Sequence, residues 1–192
     1  MSGQPEAAEL IAGFANTVDL ESGRDELAGA EGLARWLTRT GLVRQAPRVT
    51  DADVQAARDL RTGIREALSD GARPPSPHRL ALGDAVLARL PVLVTLTPRA
   101  ALPATGAPQS ALGPSPDLAP VPHAMARLAA AWAELALTGQ AQRLKRCANQ
   151  GCGEVFWDTS RNHSRRWCSM QVCGNRAKAR RHTARRTTPD GA

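Results

Sequence analysis

The sequence predicts a mainly α-helical chain with a small β component: a helical body carrying one short β-hairpin, followed by a compact cysteine-bearing module. Three observations carry this expectation. Apolar residues recur at helical spacing in five stretches between residues 6 and 138. One stretch between prolines, residues 91–98, switches to an alternating period. All four cysteines fall between residues 147 and 173.

In chain order, residues 6–20 read as a helix through Leu10, Ile11, Phe14 and Val18, ended by Gly23 and the charges around it. Asn16 and Thr17 stand near its end. Asn16 reads as a helix-terminal cap, with a buried ligand contact as the alternative. A second helix is expected over residues 30–39, with Leu33, Trp36 and Leu37 inward and Gly41 as the stop. Thr50 with Asp53 forms the N-terminal signature of a third, whose stripe is Val54, Ala57, Leu60, Ile64 and Leu68, ending near Gly71. Ser76 followed by Pro77 opens a fourth, running to about Leu90. The strand expected at residues 91–98 precedes six prolines between 99 and 122, a segment with room for a hairpin and at most one more short strand. A fifth helix follows from Pro122 to Thr138, with Met125, Leu128, Trp132 and Leu135 on one face and Gly139 at its end.

The 192 residues allow one ordinary domain plus a small module, and the core must be built of Leu, Ala and Val, since Phe occurs twice and Tyr never. No apolar run is long enough to span a bilayer, and residues 1–25 lack the basic and apolar regions of an export signal, so a cytoplasmic protein with reduced cysteines is expected. Residues 1–142 hold 13 basic and 15 acidic side chains, a net of −2, whereas residues 143–192 hold 12 and 3, a net of +9. A basic block beside a near-neutral body is the electrostatic footprint of a polyanion binder.

Cys147 and Cys152 form one C-x4-C pair, and Cys168 and Cys173 form another. Two closely spaced thiol pairs on separate loops are what a tetrahedral four-sulfur zinc site requires. Two disulfides, or iron–sulfur or another metal, are the rival readings, and His163 in the connecting arm could stand in for one cysteine. The residues fit a small treble-clef-like finger. Gly151 and Gly153 flank Cys152, Val155–Trp157 starts a hairpin turning at residues 159–162, Trp167 roofs the metal, and a helix starts at Cys173 or Gly174.

The string from Phe156 through Asp158, Ser160, Arg161, Asn162, Ser164, Arg165, Arg166, Trp167, Cys168, Ser169 and Met170 to Cys173-Gly174-Asn175-Arg176 resembles the CGNR-type zinc finger of bacterial proteins. Members of that family carry an N-terminal ABATE-type domain, described as a stress-induced transcription regulator. Residues 10–18 are similar to its opening Phe-x-Asn-Thr signature, with Gly13 where an acidic residue is expected. The resemblance implies an ABATE-type helical domain over residues 1–140, a zinc finger with a basic C-terminal helix over 143–186 and a disordered tail at 187–192. It further implies one structural Zn²⁺ on Cys147, Cys152, Cys168 and Cys173, and DNA binding.

The side chains expected to meet nucleic acid are Arg161, Arg165, Arg166, Arg176, Lys178, Arg180, Arg181 and Arg185. Double-stranded DNA is the expected partner and RNA the alternative, with a homodimer through the helical domain and a small-molecule effector as further expectations. A zinc-stapled protein-interaction module, docking an acidic partner on its basic face, is the reading from another class. An enzyme is not expected: residues 1–142 hold no catalytic constellation, with His78 and His123 isolated, and four thiolates leave zinc no open position.

Overall fold

The computed structural model describes residues 3–68, 74–100, 109–149 and 151–180. Five helices make the body: α1 (Glu6–Ala15), α2 (Ala30–Arg39), α3 (Asp51–Ala67), α4 (Pro77–Leu87) and α5 (Pro120–Leu137). Between α4 and α5 lies a two-stranded antiparallel ribbon, β1 (Val92–Ala100) with β2 (Gln109–Pro114). After α5 a short 3-10 turn (Gln140–Arg143) leads into β3 (Leu144–Arg146), which pairs antiparallel with β4 (Val155–Trp157). A wide π-helical turn (Met170–Gly174) then continues as α-helix through residues 175–180. The mainly α character with two small hairpins and a four-cysteine cluster is the expected class. Helix α3 ends at Ala67, short of the expected stop near Gly71, which with the cations Arg181 and Arg185 and the tail at 187–192 lies outside the described residues.

Local chemistry explains most boundaries. Thr50 accepts the Asp53 N–H while the Asp53 carboxylate accepts the Thr50 N–H, a reciprocal cap that fixes the start of α3. Ser76 caps α4 and Gly41, at φ +68°, follows α2. One core joins α1, α2, α3 and α5 through Ile11, Phe14, Trp36, Leu37, Leu60 and Leu128, with the Phe14 and Trp36 rings 5.3 Å apart. Helices α3 and α4 meet backbone to backbone at Gly63 and Gly83, where a Cβ on Gly63 would sit 2.6 Å from the Gly83 Cα.

The first helix is shorter than the sequence suggests, ending at Ala15 instead of continuing to residue 20. Side chains take the groups that would carry it on. Thr17 Oγ1 donates to the Phe14 carbonyl at 2.8 Å, and Arg65 donates to the Ala15 carbonyl at 2.7 Å. Arg61 bonds both Thr17 Oγ1 and the Asp25 carboxylate, and Val18 forms a bridge with Asp25. These buried arginines on α3 pin the chain as it leaves α1.

The cysteine module is not attached as a separate bead. Leu144, Val155 and Trp157 belong to the same buried cluster as the body's helices. Asn16, capping α1, donates to the Val155 carbonyl and accepts the Val155 N–H, both at 2.8 Å. Arg65 reaches the Gly153 carbonyl at 2.8 Å, and Arg146 approaches the buried Glu66 carboxylate at 3.7 Å.

Candidate metal centre and basic surface

The first knuckle is the loop between β3 and β4. The Asn149 carbonyl accepts the Cys152 and Gly153 N–H groups at 2.8 and 3.0 Å, and the Cys147 N–H bonds the Glu154 carbonyl at 2.8 Å. Gly153 has φ +57°, and a Cβ there would lie 2.6 Å from a Leu20 methyl, so both the turn and the close approach of the body require glycine. The second pair flanks the start of the last helix. Ser169 caps the wide turn by accepting the Val172 N–H, with Cys168 just before it and Cys173 inside it. That helix starts at Met170, three residues earlier than the sequence suggests.

The hairpin expected to turn at residues 159–162 is also placed differently: β4 pairs upstream with β3, so the knuckle itself is the turn. The reason is Asp158, which is fully buried. Its carboxylate accepts the Ser160 N–H and hydroxyl at 2.8 and 2.6 Å and the Arg165 N–H at 3.0 Å, and pairs with Lys145 at 2.8 Å. These bonds curl residues 158–165 into a loop and leave no returning strand. Burial opposes ionisation, yet Lys145, Ser160 and the backbone donors outweigh it and hold Asp158 well below the usual carboxylate range.

The four thiols converge. One sulfur from each of Cys147, Cys152, Cys168 and Cys173 lies within 4.8 Å of every other. The Cys152–Cys168 and Cys168–Cys173 separations are 3.6 and 3.7 Å. A tetrahedron of sulfurs about 2.3 Å from zinc has edges of about 3.8 Å, so the cluster fits a zinc ion and is far too open for S–S bonds of about 2.05 Å. Among the described residues this is the only group of metal-ligating side chains, and His163 is not part of it. Burial pushes the Cys152 thiol up to about 11 and the Cys168 thiol higher still. Burial acts the same way on Cys173, but the Asn149 amide, 3.6 Å from its sulfur, and the neighbouring thiols bring it below its usual value. Thiols so crowded lose their protons together only when a cation compensates them, and bound Zn²⁺ supplies that charge and fixes the geometry.

Phe156 and the partly buried Trp167 pack on the sulfurs, as expected for a roof over the metal. The arginines around it divide into two groups. Arg165 folds back: it donates to the Trp167 carbonyl at 2.9 Å, bonds the Cys168 carbonyl and stacks 4.8 Å over Phe156. Arg143, 6.0 Å over the Trp157 ring, bonds the Asp158 carbonyl at 2.9 Å and likewise serves the module's interior. Arg161, Arg166, Arg176, Lys178 and Arg180 are exposed. Arg166 stacks over Trp167 at 5.5 Å, Arg176 pairs with Glu21 at 2.7 Å, and Arg180 donates to Asn149 at 2.9 Å. Asn149, buried between the Cys173 sulfur and Arg180, thus joins the metal cluster to the last helix.

Family comparisons agree with this geometry. The family model described as Putative stress-induced transcription regulator, ABATE, matches residues 8–139, well over half of the chain. The chain belongs to the ABATE family. The model of the CGNR zinc finger matches residues 143–186, so this ABATE protein carries the finger directly behind its helical body. No curated protein matches the chain. In this ABATE chain the family tetrapeptide Cys173-Gly174-Asn175-Arg176 gives the fourth sulfur and the turn into the last helix.

Sequence reasoning passed over Asn149, Asp158, Arg65 and Glu66. An Asp-x-Ser turn signal marked Asp158, and Asn149 stands inside the first cysteine pair. Nothing local marks Arg65 or Glu66, whose partners lie in distant loops.

Proposed function

We propose that this protein is a bacterial, cytoplasmic transcription regulator with no catalytic activity, in which a zinc ion on Cys147, Cys152, Cys168 and Cys173 holds a basic surface for double-stranded DNA. The observation that carries the reading is the position of the exposed cations. Arg161 and Arg166 lie on the arm between the cysteine pairs, and Arg176, Lys178 and Arg180 on the helix that leaves the fourth sulfur. Arg181 and Arg185 continue the basic run in sequence. In this reading Arg165 is structural. Asn149 and Asp158 set the geometry of the surface, and the helical body senses an effector or dimerises.

Fluorescence anisotropy with a labelled random duplex over a salt series tests this. Six phosphate contacts give a slope of log K against log salt of about −5. Chelation of the metal should abolish binding. A flat salt response, or binding that survives full metal removal, would overturn the reading.

The exposed Met170 and Val172, 52% and 49% accessible beside the sulfurs, favour a second reading, a zinc-stapled surface for an acidic protein partner. Binding of such a partner would persist in the presence of competing random duplex, whereas the DNA reading requires competition.

A further inference from the structure

Where body and finger meet, the surface opens into a cleft with a cavity volume of about 500 Å³. That volume lies within the roughly 300–1,000 Å³ typical of small-molecule sites. Its walls differ in chemistry. The body and the strand leading into the knuckle supply Leu68, Trp132 and Leu144, an apolar side with one indole. The finger supplies Lys145, Arg146, Arg165 and Arg166, and no carboxylate lines the space among the described residues.

The charge around it is only partly compensated. Lys145 is paired with Asp158 at 2.8 Å, and Arg146 shares the buried Glu66 with Arg79 at 3.7 and 3.6 Å. Arg166 has the Trp167 ring as its neighbour and no acidic partner among the described residues. Among the described residues, two carboxylates, Asp158 and Glu66, stand behind the four cations of the lining, and Glu66 also serves Arg79. The chain also bends sharply here, since His163, on the cavity wall, is the one described non-glycine residue with positive φ, at +49°. An apolar wall facing the Arg166 guanidinium, beside Arg146 on its Glu66 partner, suits a molecule with an anionic head and an apolar body.

We propose that this cavity binds a small organic anion, an aromatic or aliphatic carboxylate or phosphate ester, with its head on Arg166 and Arg146 and its body against Trp132 and Leu68. The site rests on the regulator reading above and deepens it by giving the effector a place and a chemistry. Arg146 directly precedes the zinc ligand Cys147, and Arg166 stands two residues before Cys168. An anion bridging them would therefore act on both cysteine pairs at the point where the finger meets the body. It would also draw Arg166 away from the exposed basic surface. Bound anion and duplex then compete for the same side chain, so the effector weakens DNA binding.

The test uses the zinc-loaded full chain and calorimetric titration with 1-naphthoate and phenyl phosphate, and with neutral 1-naphthamide as the control. One saturable site is expected for at least one of the anions and none for the amide. Arg166→Ala should weaken anion binding about tenfold or more. Ala67→Trp, which fills the cavity from an exposed position on its rim, should abolish binding while zinc content and helical signal stay unchanged. No saturable binding of either anion up to millimolar concentration would overturn the proposal. So would equal binding of the amide, or indifference to both substitutions. Since no DNA enters this titration, the cavity can fail while duplex binding stands, and duplex binding can fail while the cavity holds its anion.

Discussion

Replacing Asn16 with alanine should loosen the finger from the body without touching a sulfur. The carboxamide makes two 2.8 Å hydrogen bonds to the backbone of Val155, one as donor and one as acceptor, across 139 residues of sequence. Each is worth about 1 kcal/mol net, and Val155 is buried, so its orphaned N–H and carbonyl add a desolvation cost. A total of about 3 kcal/mol is expected. Docking of the knuckle and gathering of the thiols occur in the same strands, so that loss should also reach the metal and weaken zinc binding roughly a hundredfold. Competition against a chromogenic chelator reads the zinc affinity, and urea unfolding of the zinc-loaded protein reads the stability. Asn16→Asp, which keeps the acceptor for the Val155 N–H but sets a carboxylate against the Val155 carbonyl, should be no better than alanine. If Asn16→Ala leaves both the chelator competition and the unfolding midpoint unchanged, the idea that this side chain couples the two halves is wrong.

Two further outcomes follow from the charges. The Asp158 carboxylate is depressed in the folded protein, so its stabilising contribution is present above the unfolded value near 3.9 and fades as pH falls toward the folded one. Asp158→Asn should cost about 3 kcal/mol at pH 7 and flatten the acid limb of a stability-versus-pH curve, which thermal melts between pH 2 and 7 can follow. Cys168→Ser should remove zinc and duplex binding together and lower the melting temperature of the whole chain, because Leu144, Val155 and Trp157 lose their anchored position in the shared core. In the intact protein burial raises the Cys152 thiol pKa, so zinc uptake at pH 7 should release protons, and acidification should release zinc. Uptake measured in two buffers of different ionisation enthalpy checks the proton count.

What could be read from the residues alone was what their neighbours determine. The stripe and reciprocal cap of α3, the glycine after α2 and the paired cysteine spacings are short-range patterns, and each appears where the sequence puts it. The end of α1 was not legible, because the groups that stop it, Arg61 and Arg65, come from a helix more than forty residues away. The partner of β4 was hidden for a related reason. Turn-forming residues at 159–162 suggested a return strand, but a buried carboxylate binds three of the donors nearby and closes the loop on itself. Asn16 looked like a cap, which it is. Its second role, as a clamp on a strand at the other end of the chain, has no local signature. Among the expected DNA contacts, the residue type was visible but not its employment, and Arg165 has the same side chain as Arg166 with its hydrogen bonds turned inward.

The siting of Leu144, Val155 and Trp157 within the body's own cluster has a practical corollary. Family matches meet between residues 139 and 143, which invites cutting the gene there to obtain either half. The upstream fragment would then bare an oily scar where those three side chains had lain, and Asn16, Arg65 and Glu66 would each lose the bond it makes to the finger. Anyone wanting the helices alone should graft polar residues onto that scar first, or keep the strands through Trp157 attached.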